Sequence, residues 1–258
     1  MNAVWPIATV VVKELYRRKD FYVLFVLTAL ITLLMGSVTF FHDDRIARYL
    51  KELCLLLIWV STLVIAITAT ARQLPAEREQ RTILPLLAKP VSRGEVVVGK
   101  FLGCWLACGV ALVVFYLFFG VVSATREHAW PLTNYFQALW LQWCMLAIVV
   151  AMSLAGSLVF AAPSSNATIV FLVASAILLV GRHLNTVALT LPEPAQTLVY
   201  ALYFALPHLE LFDLRDLLVH DWAPIAWWAW AAATLYALAY TWVFLLVAWL
   251  SFRRRPLV

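Results

Sequence analysis

Arg72-Gln-Leu-Pro-Ala-Glu-Arg-Glu-Gln-Arg-Thr-Ile-Leu-Pro-Leu-Leu-Ala-Lys-Pro-Val-Ser-Arg-Gly-Glu-Val-Val-Val-Gly-Lys100 is a polar insert between two apolar runs. Outward from it the chain is almost entirely lipid-compatible: 64% of its 258 residues are hydrophobic and 13% are charged, where a soluble domain carries about 25% charged residues. Mean hydropathy is +0.90. This composition is that of a polytopic membrane protein, and residues 72–100 are where it meets water-soluble machinery.

A helix needs about 17–25 predominantly apolar residues to cross roughly 30 Å of hydrocarbon. Charge-free runs of that length give spans at 21–41, 53–71 and 101–125. The next run, between Glu127 and Arg182, is too long for one crossing and is broken by Ala161-Ala-Pro-Ser-Ser-Asn166. Pro, Ser and Asn favour turns, so this run reads as a helical hairpin with spans at 135–160 and 168–181. A sixth span, 227–251, lies in the stretch from Trp222 to Phe252, which holds six tryptophans and stops at Arg253-Arg254-Arg255.

Six spans put both termini on one side. With the N-terminus, residues 72–100 and the C-terminus together, that side carries thirteen of the nineteen Lys and Arg residues. The positive-inside rule makes it the cytoplasm. Nine of the fourteen acidic residues fall outside, but the rule gives them little weight. The charge of +5 calls for no nucleic-acid partner.

Residues 1–20 are not a cleavable signal, because Lys13, Arg17, Arg18 and Lys19 follow the apolar residues instead of preceding them. Val4, Ile7, Val11 and Leu15 recur at helical spacing, which predicts an amphipathic interfacial helix on the cytoplasmic leaflet; a frayed terminus is the alternative. Cys54, Cys104, Cys108 and Cys144 all fall in apolar spans and imply no disulfide framework. Cys104 and Cys108 share a helix face and read as packing residues.

Intramembrane ionisable groups usually mark ion pathways. The predicted span interiors contain none, which disfavours a proton- or sodium-coupled transporter. His-Glu-x-x-His spacing is absent and the five histidines fall on the outer side, so no metal site or intramembrane hydrolase is indicated. Gly94-Glu-Val-Val-Val-Gly99-Lys100-Phe101 has phosphate-loop spacing except at its last position, where Phe replaces the hydroxyl that would reach magnesium. No catalytic residue is assigned, and any energy source must come from elsewhere. Gln137, Gln142, Ser153 and Ser157 either line a path or bond across helices; the second reading is preferred.

Within the polar insert, Glu77, Arg78, Glu79 and Arg81 form a mixed-charge cluster, and Ile83, Leu84, Leu86 and Leu87 an apolar ridge. Lys89-Pro90-Val91-Ser92-Arg93 follows. A plain connector between two spans needs only a few residues. Pro85 limits any helix here, because it lacks an amide donor and clashes one turn back.

The pattern Glu-x-Glu-x-x-Thr-Ile-Leu-x-Leu-Leu-Ala-Lys-Pro-Val-Ser-Arg, ending in Gly-Lys-Phe-Leu-Gly103, resembles the ABC-2 family of transporter permeases, particularly its nitrous-oxide-reductase accessory (NosY-like) branch. The resemblance implies an all-α, type V exporter-like fold: an N-terminal amphipathic helix, six spans, a cytoplasmic coupling helix and outer re-entrant or interfacial helices. It also implies that the loop docks on a separate ATPase subunit, with Glu77, Arg78, Glu79, Arg81, Thr82, Leu86, Leu87, Pro90, Ser92 and Arg93 at or beside the contact. Arg81 stands where family members commonly have Gly, and Pro85 is unusual.

The outer segment 182–221 holds Pro207, His208, Glu210, Phe212, Asp213 and Arg215 as a gate or a docking surface for an extracytoplasmic component, or as a lid that only seals a dimer. The resemblance further implies two ATPase subunits carrying ATP and Mg, a second permease copy, and a bacterial inner-membrane location with cytoplasmic termini. Lipid-like or amphipathic cargo fits the uncharged interior. A mechanotransmitter that moves no cargo and a membrane scaffold unrelated to ATP are the alternatives.

Overall fold

The computed structural model describes residues 3–17, 44–79, 91–127, 131–160 and 162–254, with positions 22, 26, 29, 30 and 33. Among these residues every regular element is helical. In chain order the helices are α1 (Val4–Tyr16), α2 (Asp44–Ala71), α3 (Gln73–Glu79), α4 (Arg93–Glu127), α5 (Leu132–Val159), α6 (Pro163–Thr190), α7 (Ala195–Ala205), a 3₁₀ turn (Leu209–Phe212), α8 (Arg215–Val219) and α9 (Trp227–Arg254). Among the described residues five stretches are long and apolar enough to cross a membrane: Lys51–Glu77, Arg93–Ala124, Leu132–Val159, Pro163–Gly181 and Trp227–Arg254. The predicted first span, 21–41, lies mostly outside the described residues.

Helix starts and stops follow local chemistry. Ser92 and Glu95 form a capping box at the head of α4: the Glu95 carboxylate accepts from the Ser92 amide at 2.8 Å, and the Glu95 amide donates to the Ser92 hydroxyl at 3.2 Å. The helix therefore begins eight residues before the apolar run on which the span at 101–125 was placed. At about 1.5 Å per residue, its 35 residues extend roughly 50 Å, well beyond the hydrocarbon thickness. In the hairpin, α5 stops at Val159 and α6 starts with Pro163 in its first turn, where a missing amide leaves no bond unmade. α6 then runs on past Arg182 to Thr190, so the first part of the 182–221 segment is helical and continuous with the preceding apolar stretch.

α5 is the centre of the bundle. It packs against α2, α4, α6 and α9 and touches α3, α8 and the 3₁₀ turn. Of its most apolar window 78% is buried, against 22% for α9 and 28% for α6, whose outer faces carry Leu172, Leu179, Trp228 and Trp242 exposed. α1 lies along the beginning of α4. A Cβ at Gly99 would stand 2.9 Å from Ile7, and one at Gly103 2.6 Å from Val11. Two glycines four apart thus let α1 approach to backbone distance, the small-residue packing that membrane helices use where burial gives little drive.

The polar side chains of the predicted span interiors divide: Thr62, Thr68 and Thr70 donate to carbonyls of their own helix, whereas others reach across to neighbouring elements. Tyr116 donates to Gln142 at 2.8 Å, and Gln142 donates to Thr62 at 2.9 Å, joining α4, α5 and α2. Gln137 exchanges two hydrogen bonds with the backbone of Ile225, each 2.9 Å. Ser153 donates weakly to the Ile67 carbonyl at 3.4 Å, whereas Ser157 donates within its own helix to Leu154. Asn166 donates to the Ser153 carbonyl at 3.0 Å while its other amide atom crowds Gly156, where any side chain would collide. An aromatic row crosses the same helices: Trp105 stacks on Trp143 at 4.5 Å, and each indole donates to the other's backbone carbonyl.

Candidate functional site

The polar insert is anchored at both ends. At its start, α3 carries Pro75 in its first turn and presents Gln73 and Glu77 toward the base of α4. Lys100, 2% exposed, donates to Glu77 at 2.7 Å and makes longer contacts to the Gln73 carbonyl and side-chain oxygen at 3.5 and 3.4 Å. Glu77 is 30% exposed. The ammonium is thus the desolvated member of the pair, and its Coulomb partner must stay in place.

At the other end, Arg93 donates to the carbonyls of Phe252 at 2.7 Å and Arg253 at 2.9 Å, with its guanidinium over the Phe252 ring. These are two of the last carbonyls of α9, which have no partner inside their own helix. A cation there satisfies them and complements the negative helix end. The start of α4, within the insert, is therefore fastened to the C-terminal end of α9.

Of the residues proposed for partner contact, Glu77, Ser92 and Arg93 are placed, and each has a structural bond. Arg78 and Glu79 lie in the last turns of α3. Arg81, Thr82, Leu86, Leu87 and Pro90 lie outside the described residues. Gln73, Glu95 and Lys100 were not singled out for this site. The Ser92-x-x-Glu95 spacing could have located the helix start, but nothing in the linear sequence pairs Lys100 with Glu77. Gly94 to Lys100 is helix throughout, so the phosphate-loop spacing forms no cradle of free amides.

At the opposite end, the outer segment folds back onto the bundle. Leu209, Phe212, Leu217, Leu218 and Val219 are buried, and α8 packs against α2 and α5. Arg215 makes a two-pronged pair with Asp213, at 2.8 and 2.7 Å, and its guanidinium lies 5.4 Å from the Trp59 ring, inside the span-length stretch Lys51–Glu77. The hydrogen bonds that Arg215 donates to the Asp213 carboxylate hold its pKa above the ordinary value against the opposing effect of burial.

His208 donates its amide to the Tyr236 hydroxyl at 2.9 Å, and its ring meets Tyr203 edge-on at 4.4 Å. Glu210 lies against Gly181, and one of its carboxylate oxygens is buried with no partner among the described residues. Pro207 starts the loop that carries them, its carbonyl accepting from Leu209 at 3.0 Å.

At one end the Lys100–Glu77 pair and the bonds of Arg93 hold α3, α4 and α9 together, and at the other the half-buried Arg215 lies over Trp59; between them Tyr116 bonds Gln142 and Gln142 bonds Thr62. A family model described as ABC-2 family transporter protein matches residues 17–257. The chain belongs to the ABC-2 transporter family. No curated protein matches it. As an ABC-2 chain it is a multi-pass membrane protein and a permease component of an ABC transporter. Such permeases are typically non-catalytic, and the family associates in general with an ABC ATPase.

Proposed function

We propose that this ABC-2 chain is the membrane subunit through which a separate cytoplasmic ATPase drives a rearrangement across the bilayer. Two copies of the chain face each other, two ATPase subunits bring ATP and Mg, and residues 72–100 form the docking segment. Both termini are cytoplasmic, in a bacterial inner membrane. The observation that carries the proposal is the double anchoring of that segment: Lys100 with Glu77 at one end, Arg93 with the α9 carbonyls at the other. A push delivered to a segment fastened in this way moves α3, α4 and α9 together instead of bending a slack loop. Differential affinity of the ATPase dimer for two permease arrangements supplies the free energy.

The finer placement in the NosY-like branch rests on the sequence resemblance alone. It makes a second reading, transmission of motion to an extracytoplasmic partner at Pro207 to Arg215, a sister of cargo export. What favours that second reading is the chain of buried bonds from Tyr116 through Gln142 to Thr62, which joins α4, α5 and α2 and stiffens the interior. A scaffold unrelated to ATP is not carried forward, given the family.

The test is purification of the tagged chain in mild detergent, with mass spectrometry of what remains bound. An ATPase subunit near equal stoichiometry is expected, and Glu79→Lys should keep the fold while lowering stimulated ATP hydrolysis. Recovery of the chain alone after crosslinking, or unchanged stimulation, refutes the assigned interface. An exported protein in the same peak selects mechanotransmission.

A further inference from the structure

The face of α1 turned away from α4 is unlike the polar face of a soluble amphipathic helix. Ala8, Val11 and Leu15 are buried against the bundle, with Val11 over Gly103. On the free face, Trp5, Val10 and Tyr16 are 64%, 65% and 44% exposed. Lys13 and Arg17, one turn apart, are exposed on the same face. Glu14 is the acidic residue there, and it already has a partner. The helix thus has an apolar side occupied by protein and a mixed outward side, on which Trp5, Val10 and Tyr16 alternate with Thr9, Lys13, Glu14 and Arg17, the cations falling at its C-terminal end.

Large exposed aromatics beside basic side chains suit the boundary between acyl chains and headgroups. There an indole or phenol ring lies at headgroup depth, and Lys and Arg lay their stems along apolar surface while the charge reaches outward. Cations held at that depth attract acidic phospholipids. Protein neighbours fit less well: an open protein-binding face is depleted of lysine, and the open area is one helix turn wide at each aromatic.

We infer that the outer face of α1, with Lys13 and Arg17 as its cationic pair and Trp5 and Tyr16 as its interfacial anchors, is a binding surface for the headgroups of acidic phospholipids. Because α1 sits on Gly99 and Gly103, which flank Lys100, lipid bound there fixes the cytoplasmic end of α4 at the membrane surface. The inference goes beyond the coupling proposal and does not depend on it.

The experiment uses the full chain in detergent with added phosphatidylglycerol or phosphatidylcholine, and native mass spectrometry to count retained lipid. Wild type should retain phosphatidylglycerol in preference. Lys13→Gln/Arg17→Gln, which leaves Arg18 and Lys19 in place, should weaken that retention by about fivefold per charge removed, while Lys13→Arg/Arg17→Lys keeps it. Circular dichroism checks that the helices are intact in each variant.

Equal retention of the two lipids by wild type overturns the inference, as does undiminished phosphatidylglycerol retention in the Gln variant. Loss of a two-copy species in that variant, with lipid retention unchanged, would assign the face to a second copy and equally overturn it. No ATPase enters the measurement, so failure of the coupling proposal would not imitate failure here.

Discussion

Glu77→Gln and Lys100→Met remove opposite halves of one ion pair, yet they should not be equivalent. The bond is 2.7 Å long, but Lys100 is 2% exposed and Glu77 is 30% exposed. With Glu77 replaced by Gln, the ammonium remains buried with only an amide oxygen and the two contacts to Gln73 at 3.4 and 3.5 Å, beyond good hydrogen-bond length. An uncompensated buried charge costs about 3–5 kcal/mol. With Lys100 replaced by Met the apolar stem is conserved and the carboxylate, although one of its oxygens is buried, belongs to a side chain that is 30% exposed, so the loss should be smaller, about 1.5–3 kcal/mol, that of a lost charged hydrogen bond.

The double variant should recover most of the Glu77→Gln loss, because no charge is then buried, and the cycle isolates the coupling. Apparent melting of the purified chain in one detergent, at fixed protein and lipid content, ranks the four proteins. Equal losses for the two single variants would refute the assignment of Lys100 as the desolvated partner. A double variant worse than Glu77→Gln would refute the pairing itself.

Arg93→Ala should release the C-terminal end of α9 and lower stability by about 1–3 kcal/mol, since two carbonyls lose a charged donor. Protease susceptibility of the residues after Phe252 should rise with it. Gly103→Leu should displace α1, because its first added carbon would meet Val11 at 2.6 Å; overpacking of this kind costs about 1–3 kcal/mol, read as a lower apparent melting temperature with raised protease susceptibility of α1. Gln142→Leu leaves the buried Tyr116 hydroxyl without its acceptor, a loss of about 1–3 kcal/mol. Adding Tyr116→Phe should return part of it in the same melting assay.

Much of the architecture was legible because hydrophobicity and capping are local. Charge-free runs located the apolar parts of α2, α4, α5, α6 and α9, and Pro163 marked the turn between α5 and α6. Ends placed by charge alone were displaced wherever a helix runs into polar sequence. α4 begins at Arg93 because Ser92 and Glu95 cap it, and α6 passes Arg182 because a helix tolerates charge once it leaves hydrocarbon. The bonds of Gln142 across helices were foreseen as a class, though not their partners, and Gln137 instead bonds to the backbone of Ile225, just before α9. Lys100 is the sharpest case: in sequence it is the last matching residue of a failed phosphate-loop pattern, and in space it is a buried cation whose partner lies 23 residues earlier.

The sequence by itself determined that this chain lies in a membrane as a bundle of helices, and its polar insert carried the family resemblance. Those properties depend on composition and on patterns a few residues long, which hold whatever the helices pack against. Only the tertiary structure decided that α5 is the centre, that α1 rides on Gly99 and Gly103, and that Glu77, Lys100, Arg93 and the end of α9 fasten the insert at both ends. Those are pairings between residues far apart in the chain. Their energy comes from desolvation and contact geometry, which exist only once the helices have packed.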